Sequence, residues 1–361
     1  MDQNNGVDQM KITIIGAGKT GRGFLARLLT GQDITFIDKD ASLVTHLNEA
    51  KTVRVSYFGN KKPACQVSFS KALTWEQVES MEADLILVSV GGSNLADVGR
   101  ELSRFVKPGQ RILVAENASK PAQKLYDAIG VPGVRISEST VFCTTIEGEN
   151  MDIRSEWYPY LQYDAEPMAD VLPDVDTLKP IFGFGDFLTR KLFTYNSASC
   201  IIAYLGYQKG YKVYSDAAND PEILSLLDRN YAIINECMCR EFGYDRADQK
   251  EFALLSRDKF TDRTIADTVS RNGREPQRKI GKTERVTGPL LLQEKYGMDT
   301  SVLEMTLAAM LLYHPAEEEA WNQMVQEQGY QGILRNLAGL DADGEMAQRI
   351  LAMAESGKIF G

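Results

Sequence analysis

KITIIGAGKTGRGFLARLL, residues 11–29, is the stretch on which the fold turns. KITII is a β-branched run of the length of one buried strand. It leads straight into GAGKTG, which sets Gly16, Gly18 and Gly21 in a G-x-G-x-x-G spacing, and GRGFLARLL then reads as an amphipathic helix. ITFID, residues 34–38, is a second strand that ends in Asp38, 17 residues after Gly21. Each part has a physical task. Gly16 makes the tight turn, Gly18 lets the backbone approach a pyrophosphate, and Gly21 lets helix and strand pack closely. The helix start, at Lys19 and Thr20, offers unpaired N–H groups and a partial positive charge to that anion. Asp38 can bind a ribose 2′-hydroxyl and repels a 2′-phosphate, which favours NAD over NADP. A glycine triplet alone also marks ordinary surface turns. Its place between a strand and a helix, with an acid closing the next strand, is what points to a dinucleotide.

The α/β alternation continues outward from this unit. ADLILVSVGG (83–92) is a nearly unbroken apolar run ending in glycine, as a central parallel strand and its loop are. QRILVAEN (110–117) is another such strand, and VRISES (134–139) a further one. Ligands of open parallel sheets lie beyond the carboxyl ends of the strands, so Gly91, Gly92, Glu116 and Asn117 fall on the cofactor side. For the two glycines, turn geometry is an equal reading. RSEWYPYLQY (154–163) reads as an added strand or hairpin, and the proline-containing DVLPDVDTLKP (170–180) as a connection to a second domain.

From about Phe187 the pattern becomes helical. PEILSLLDRNYAIINECMCREFG (221–243) is one helix ended by Gly243, SVLEMTLAAMLLY (301–313) another stopped before Pro315, and EMAQRILAMAE (345–355) a third. The fold class expected is α/β: a Rossmann-type doubly wound parallel sheet over residues 1–185, followed by an all-α domain over 186–361. In such chains substrate binds in the cleft between the two domains.

Bulk properties narrow the partners. The chain has 361 residues, 43% of them hydrophobic and 25% charged, with a net charge of -10. That balance argues against nucleic acid or an anionic membrane as the main partner, and no run approaches ~18 uninterrupted apolar residues. MDQNNGVDQ reads as a frayed tail and lacks the regions of a signal peptide. Five cysteines in a chain this long make no disulfide framework, which suits the reducing cytoplasm. His46 and His314 lack ligand spacing, and Cys237 and Cys239 point different ways on a helix, so no metal site is expected.

Two stretches carry chemistry. RKLFTYNSASC (190–200) places Lys191 and Asn196 in a run otherwise aromatic, aliphatic or small. At ~100° per residue, Lys191, Ser199 and Asn196 share one broad face of a helix that is apolar elsewhere. A lysine held in apolar surroundings has its pKa lowered and can take a hydroxyl proton, while an asparagine donates to the oxygen becoming a carbonyl. The alternative is a lysine that snorkels to water and an asparagine that caps a loop. RNGREPQRKIGKTER (271–285) carries six basic residues against two acids. There Arg274, Arg278, Lys279 and Arg285 could clamp a phosphate or carboxylate, or form a solvated loop of salt bridges.

Taken together these stretches resemble the mannitol dehydrogenase family, the zinc-independent long-chain polyol dehydrogenases, and most of all its branch acting on mannitol 1-phosphate. GAGKTGRGF (16–24) is similar to G-A-G-N-I-G-R-G-F, and AEN (115–117) to C-E-N. RKLFTYN…AYLG (190–206) resembles R-K-L-F-x-x-N-x-x-H-x-x-x-A-Y-L-G, and GREPQRKI (273–280) resembles G-R-x-P-x-R-K-L. The resemblance spans nearly the whole chain, in order. It implies a monomeric enzyme that uses NAD to interconvert a polyol, or its phosphate, with the ketose. Lys191 would be the general base, Asn196 the oxyanion partner and the 274–285 cluster the substrate-anion site. Two departures lie where substrate is expected. The third catalytic position of the family is histidine and here is Ser199, and its S-x-V-D-R-I segment is replaced by Glu138-Ser139-Thr140-Val141-Phe142-Cys143. Two other readings follow from them: a reductase of a related sugar acid, or a non-catalytic NAD-binding metabolite sensor.

Overall fold

The computed structural model describes residues 9–60, 62–168 and 175–360. Residues 1–8 of the expected tail and 170–174 of the expected connection lie outside the described residues. The chain divides into two compact units, Met1–Phe184 and Gly185–Gly361.

The strands of the first unit are β1 (Lys11–Ile15), β2 (Asp33–Ile37), β3 (Thr52–Tyr57), β4 (Cys65–Ser68), β5 (Lys71–Leu73), β6 (Leu85–Val88), β7 (Arg111–Ala115), β8 (Arg135–Thr140), β9 (Thr145–Glu147), β10 (Ile153–Ser155), β11 (Leu161–Asp164) and β12 (Leu178–Ile181). Among the described residues the main sheet runs β12-β11-β8-β7-β6-β1-β2-β5. Pairing is parallel from β5 through β8. Taken in chain order, those parallel strands make the 3-2-1-4-5-6 arrangement of a doubly wound dinucleotide fold. Its switch point falls between β1 and β6. Side chains in the apolar runs alternate between two cores: Leu85 and Leu87 enter the one that holds Phe24 and Leu25, Ile86 and Val88 the one that holds Val98 and Leu125. Burial on both faces is why the runs read as continuous.

Two expectations need correction. RSEWYPYLQY is no hairpin: β10 and β11 belong to different sheets, and β11 pairs antiparallel to β8. The proline-containing segment is not only a connection, because its end forms β12 beside β11. Pro180 is tolerated there because β12 is an edge strand. Sequence also gave no sign of the second sheet, β4-β3-β10-β9. Its two local antiparallel pairs, β3-β4 and β9-β10, are joined by one parallel pair across about 100 residues, Ile153 with Val55, and local periodicity carries no information on that long-range pairing.

The second unit is helical. Helices Pro221–Phe242, Ser301–Leu311 and Glu345–Ser356 lie where the apolar periodicity puts them. The longest begins at Asp220, whose side chain accepts from the Glu222 and Ile223 amides, and stops at Gly243 in a left-handed conformation. The helix Ser197–Gln208 runs through the core, with Ala198 and Cys200 to Leu205 at most 1% exposed. Among the described residues no helix is long and apolar enough to cross a membrane.

Candidate active site

The glycine loop is built by steric exclusion. Gly16 sits at φ +96°, and a Cβ there would meet the Ser89 carbonyl oxygen at 2.0 Å. A Cβ on Gly21 would meet the Gly16 carbonyl oxygen at 2.0 Å, whereas one on Gly18 would meet nothing within 4 Å. The first two glycines let β1, β6 and the following helix close up. The third leaves an exposed backbone edge with room for a ligand. Lys19 is exposed and Thr20 partly so, and the helix opens with a π turn over Gly21–Leu25. Asp38, half-buried at the end of β2, accepts from the Ala17 amide at 2.7 Å through one oxygen and from the Asp40 amide at 3.0 Å through the other. Each carboxylate oxygen keeps a lone pair for a ribose hydroxyl. An open cradle at Gly18 beside a fixed acid suits a dinucleotide.

At the ends of β6 and β7, Glu116 accepts from the Val90 and Gly91 amides, each at 2.6 Å. Burial raises its pKa, against the pull of those two amides. Glu116 thus shapes the loop that holds Gly91, at φ +85°, and Gly92, where a Cβ would press on Ala118 at 2.8 Å. Asn117 donates to the Val141 carbonyl at 3.0 Å, so it anchors the stretch where the family has its Asp-Arg pair.

The second unit holds the titratable group. The helix Phe184–Lys191 passes into a π turn over Leu192–Asn196, closed by the Ser197 amide on the Leu192 carbonyl, and continues as Ser197–Gln208. Uniform helical spacing therefore fails here. An i→i+5 turn stacks residues five apart, so Asn196 lies one turn along from Lys191 and not ~140° around the axis. Ser199, three residues on in α geometry, stays on the side of Asn196.

Lys191 keeps part of its surface open, yet it is crowded by protein and its pKa falls to about 7. Desolvation is the main cause, followed by the positive charges of Lys259 and Arg285. Its flanks are pinned. Buried Arg190 donates to Gln249 and Asp248, each at 2.7 Å, and stacks on Phe252 and Tyr244 at 4.2 and 4.4 Å. Gln249, fully buried, also donates to the Thr194 hydroxyl at 3.2 Å. Neither Gln249 nor Lys259 carries a sequence signal, since both lie on the helix Arg246–Thr261, more than 50 residues further along the chain. Arg190 was in plain view, but nothing local shows that it is buried.

Ser199 donates to the Asn272 side-chain oxygen at 3.3 Å, and buried Lys279 donates to the Asn272 carbonyl at 2.5 Å. Burial is the main cause of the lowered Lys279 pKa. The expected basic cluster divides in two. Lys279 and Arg285 are largely covered; Arg285 donates to neighbouring Glu284 at 3.1 Å. Arg278 and Arg274 are exposed, the first paired with Glu275 at 2.7 Å and the second donating to the Arg271 carbonyl at 3.2 Å. Among the described residues no group of three His, Cys, Asp or Glu side chains stands together as metal ligands do.

Residues 184–356 match the Mannitol dehydrogenase C-terminal domain. Over these residues the helical unit is similar to the mannitol dehydrogenase family. Residues 12–155 match Ketopantoate reductase PanE/ApbA, a family defined here over the nucleotide-fold half. Across both halves the chain is 26% identical to Mannitol-1-phosphate 5-dehydrogenase of Brevibacillus brevis, covering 91% of this chain and 93% of that one. It is also 26% identical to the protein so named from Thermoanaerobacter pseudethanolicus, covering 95% and 96%. Among solved structures, a D-sorbitol dehydrogenase in substrate-free form aligns with a TM-score of 0.77 at 11% identity, covering 96% of this chain and 93% of that one. Pseudomonas fluorescens mannitol 2-dehydrogenase, solved with NAD and D-mannitol, aligns with a TM-score of 0.65 at 13% identity, covering 96% and 91%. At those identities the likeness is one of fold.

Proposed function

We propose that this mannitol dehydrogenase relative is a zinc-independent, NAD-dependent dehydrogenase that interconverts a phosphorylated polyol of the mannitol 1-phosphate type with its ketose. The observation that carries this reading is an amine with a pKa of about 7, one π turn from an asparagine. The relatives named Mannitol-1-phosphate 5-dehydrogenase support the substrate class. The open edge at Gly18 and the carboxylate of Asp38 support a dinucleotide with a free 2′-hydroxyl, held by the 16–21 loop. When bound, that dinucleotide accepts or supplies the hydride. Lys191 takes the hydroxyl proton in oxidation and returns it in reduction, near-matched to neutral pH. Asn196 donates to the substrate oxygen as negative charge builds on it. Ser199 offers the oxygen that its bond to Asn272 leaves free. Lys279 and Arg285 hold the substrate's anionic end, with Arg274 and Arg278 outside them.

The test is NADH consumption with fructose 6-phosphate, unphosphorylated ketoses and keto-sugar acids as substrates. Turnover fastest with fructose 6-phosphate is expected. Turnover on keto-sugar acids alone would make the chain a sugar-acid reductase. Tight NADH binding with no turnover on any of them would favour the sensor reading, for which the replacement of the family histidine by Ser199 is the supporting observation.

A further inference from the structure

Arg22 directly follows the glycine motif, but the proposed chemistry does not use it. Its side chain is 1% exposed, so an always-charged guanidinium is buried at the start of the first helix. Three of its N–H groups are assigned: Nε donates to the Ala17 carbonyl at 2.6 Å, Nη1 to the Met151 carbonyl at 3.1 Å, and Nη2 to Glu147 at 2.5 Å. The Ala17 amide is held from its other end by Asp38 at 2.7 Å. Both sides of one loop residue are therefore fixed by charged groups. In a trans peptide the carbonyl and the next amide point in opposite directions. With the Ala17 carbonyl turned to Arg22, the Gly18 N–H turns away from it, on the residue whose missing Cβ leaves open space.

The second sheet now has a task. Glu147 ends β9 and Met151 lies in the turn before β10, so Arg22 ties that sheet to the loop. The approach is close because a Cβ on Gly23 would meet Ile153 at 2.2 Å. Arg27, five residues on, repeats the arrangement: it donates to the Tyr158 carbonyl at 2.6 Å and lies 5.2 Å from the Trp157 ring.

We propose that Arg22 is a positioning residue for dinucleotide binding: it clamps the Ala17–Gly18 peptide against the small sheet so that the Gly18 amide presents to the pyrophosphate. This rests on the dinucleotide reading above. The experiment compares ADP-ribose, which carries the pyrophosphate, with adenosine, which does not, by calorimetry or ligand NMR on the full chain. Arg22→Met should weaken ADP-ribose binding by about 10- to 100-fold, the scale of losing a charge-assisted hydrogen bond. Adenosine binding should change by less than about twofold, and Arg22→Lys, which keeps the charge without the fork, should recover only part of the loss. Equal weakening for both ligands would make Arg22 merely structural and overturn the proposal, as would an unchanged affinity for ADP-ribose. If the parent protein binds neither ADP-ribose nor NADH, the dinucleotide reading itself falls, an outcome distinct from the other two. Should Arg22→Met fail to fold, Glu147→Gln decides, because Glu147 is 44% exposed and pairs with Arg22. A loss of about threefold to tenfold is expected there, and parental affinity would overturn the proposal.

Discussion

The glycine loop and the Lys191 segment use the same local device for opposite ends. Each contains a π turn, over Gly21–Leu25 in one and Leu192–Asn196 in the other. In the first the turn follows residues chosen for what they lack, and the chemistry lies in backbone amides. In the second it aligns side chains, and the chemistry lies in one displaced proton. A site of the first kind is set by close packing around its glycines, with Asp38 and Arg22 fixing the backbone between them. A site of the second kind depends on every charge packed nearby.

The comparison breaks most visibly at Lys191. Lys191→Ala should lower turnover by at least about 100-fold, the usual contribution of a positioned general base, with NADH affinity unchanged. Near-parental turnover would remove the amine from the mechanism. The corresponding change in the loop is Gly16→Ala, where the added Cβ meets backbone and φ is +96°. It should cost at least about 2 kcal/mol in denaturant unfolding. Gly18→Ala should cost less than about 1 kcal/mol and yet weaken NADH binding about tenfold, because its Cβ enters the space left for ligand. Equal unfolding costs at the two glycines would erase the division of labour between them.

Charge neighbours sharpen the contrast next. Lys191 accepts a proton only when neutral, so alcohol oxidation should rise with pH through about 7 and then level off. Ketose reduction needs the ammonium and should fall across the same interval. Lys259→Met removes a positive charge that depresses the Lys191 pKa, so both limbs should move to higher pH. A pH profile that stays in place would show that Lys259 has no part in setting the titration, leaving it to desolvation and Arg285.

Legibility in the sequence follows the same line. Gly16, Gly18, Gly21 and Asp38 could be read in advance because close packing, positive φ and strand-end position are local demands with few residue solutions. The helix Ser197–Gln208 could be read because it is apolar nearly all round. The π turn could not, since nothing in LFTYN departs from ordinary helix composition, and this one turn adds a residue to the even spacing between Lys191 and Asn196. Gln249, Lys259 and the small sheet escaped for one reason: each acts across a long sequence separation, where only tertiary packing decides who meets whom.

The smallest effect belongs to the basic cluster, where composition promised four equivalent cations. Arg278 is 47% exposed and its partner Glu275 61%, whereas Arg285 is 15% exposed. A solvent-exposed pair contributes little, so Arg278→Ala should shift stability by less than about 0.5 kcal/mol. It should also raise the KM for a ketose phosphate by no more than about threefold, with that difference fading at high salt as long-range attraction is screened. Arg285→Leu removes a covered charge and should raise the same KM by at least about tenfold, at low and high salt alike. Equal effects from the two substitutions would mean that the anion is held at the rim, by the exposed arginines, and that the partition by burial is wrong.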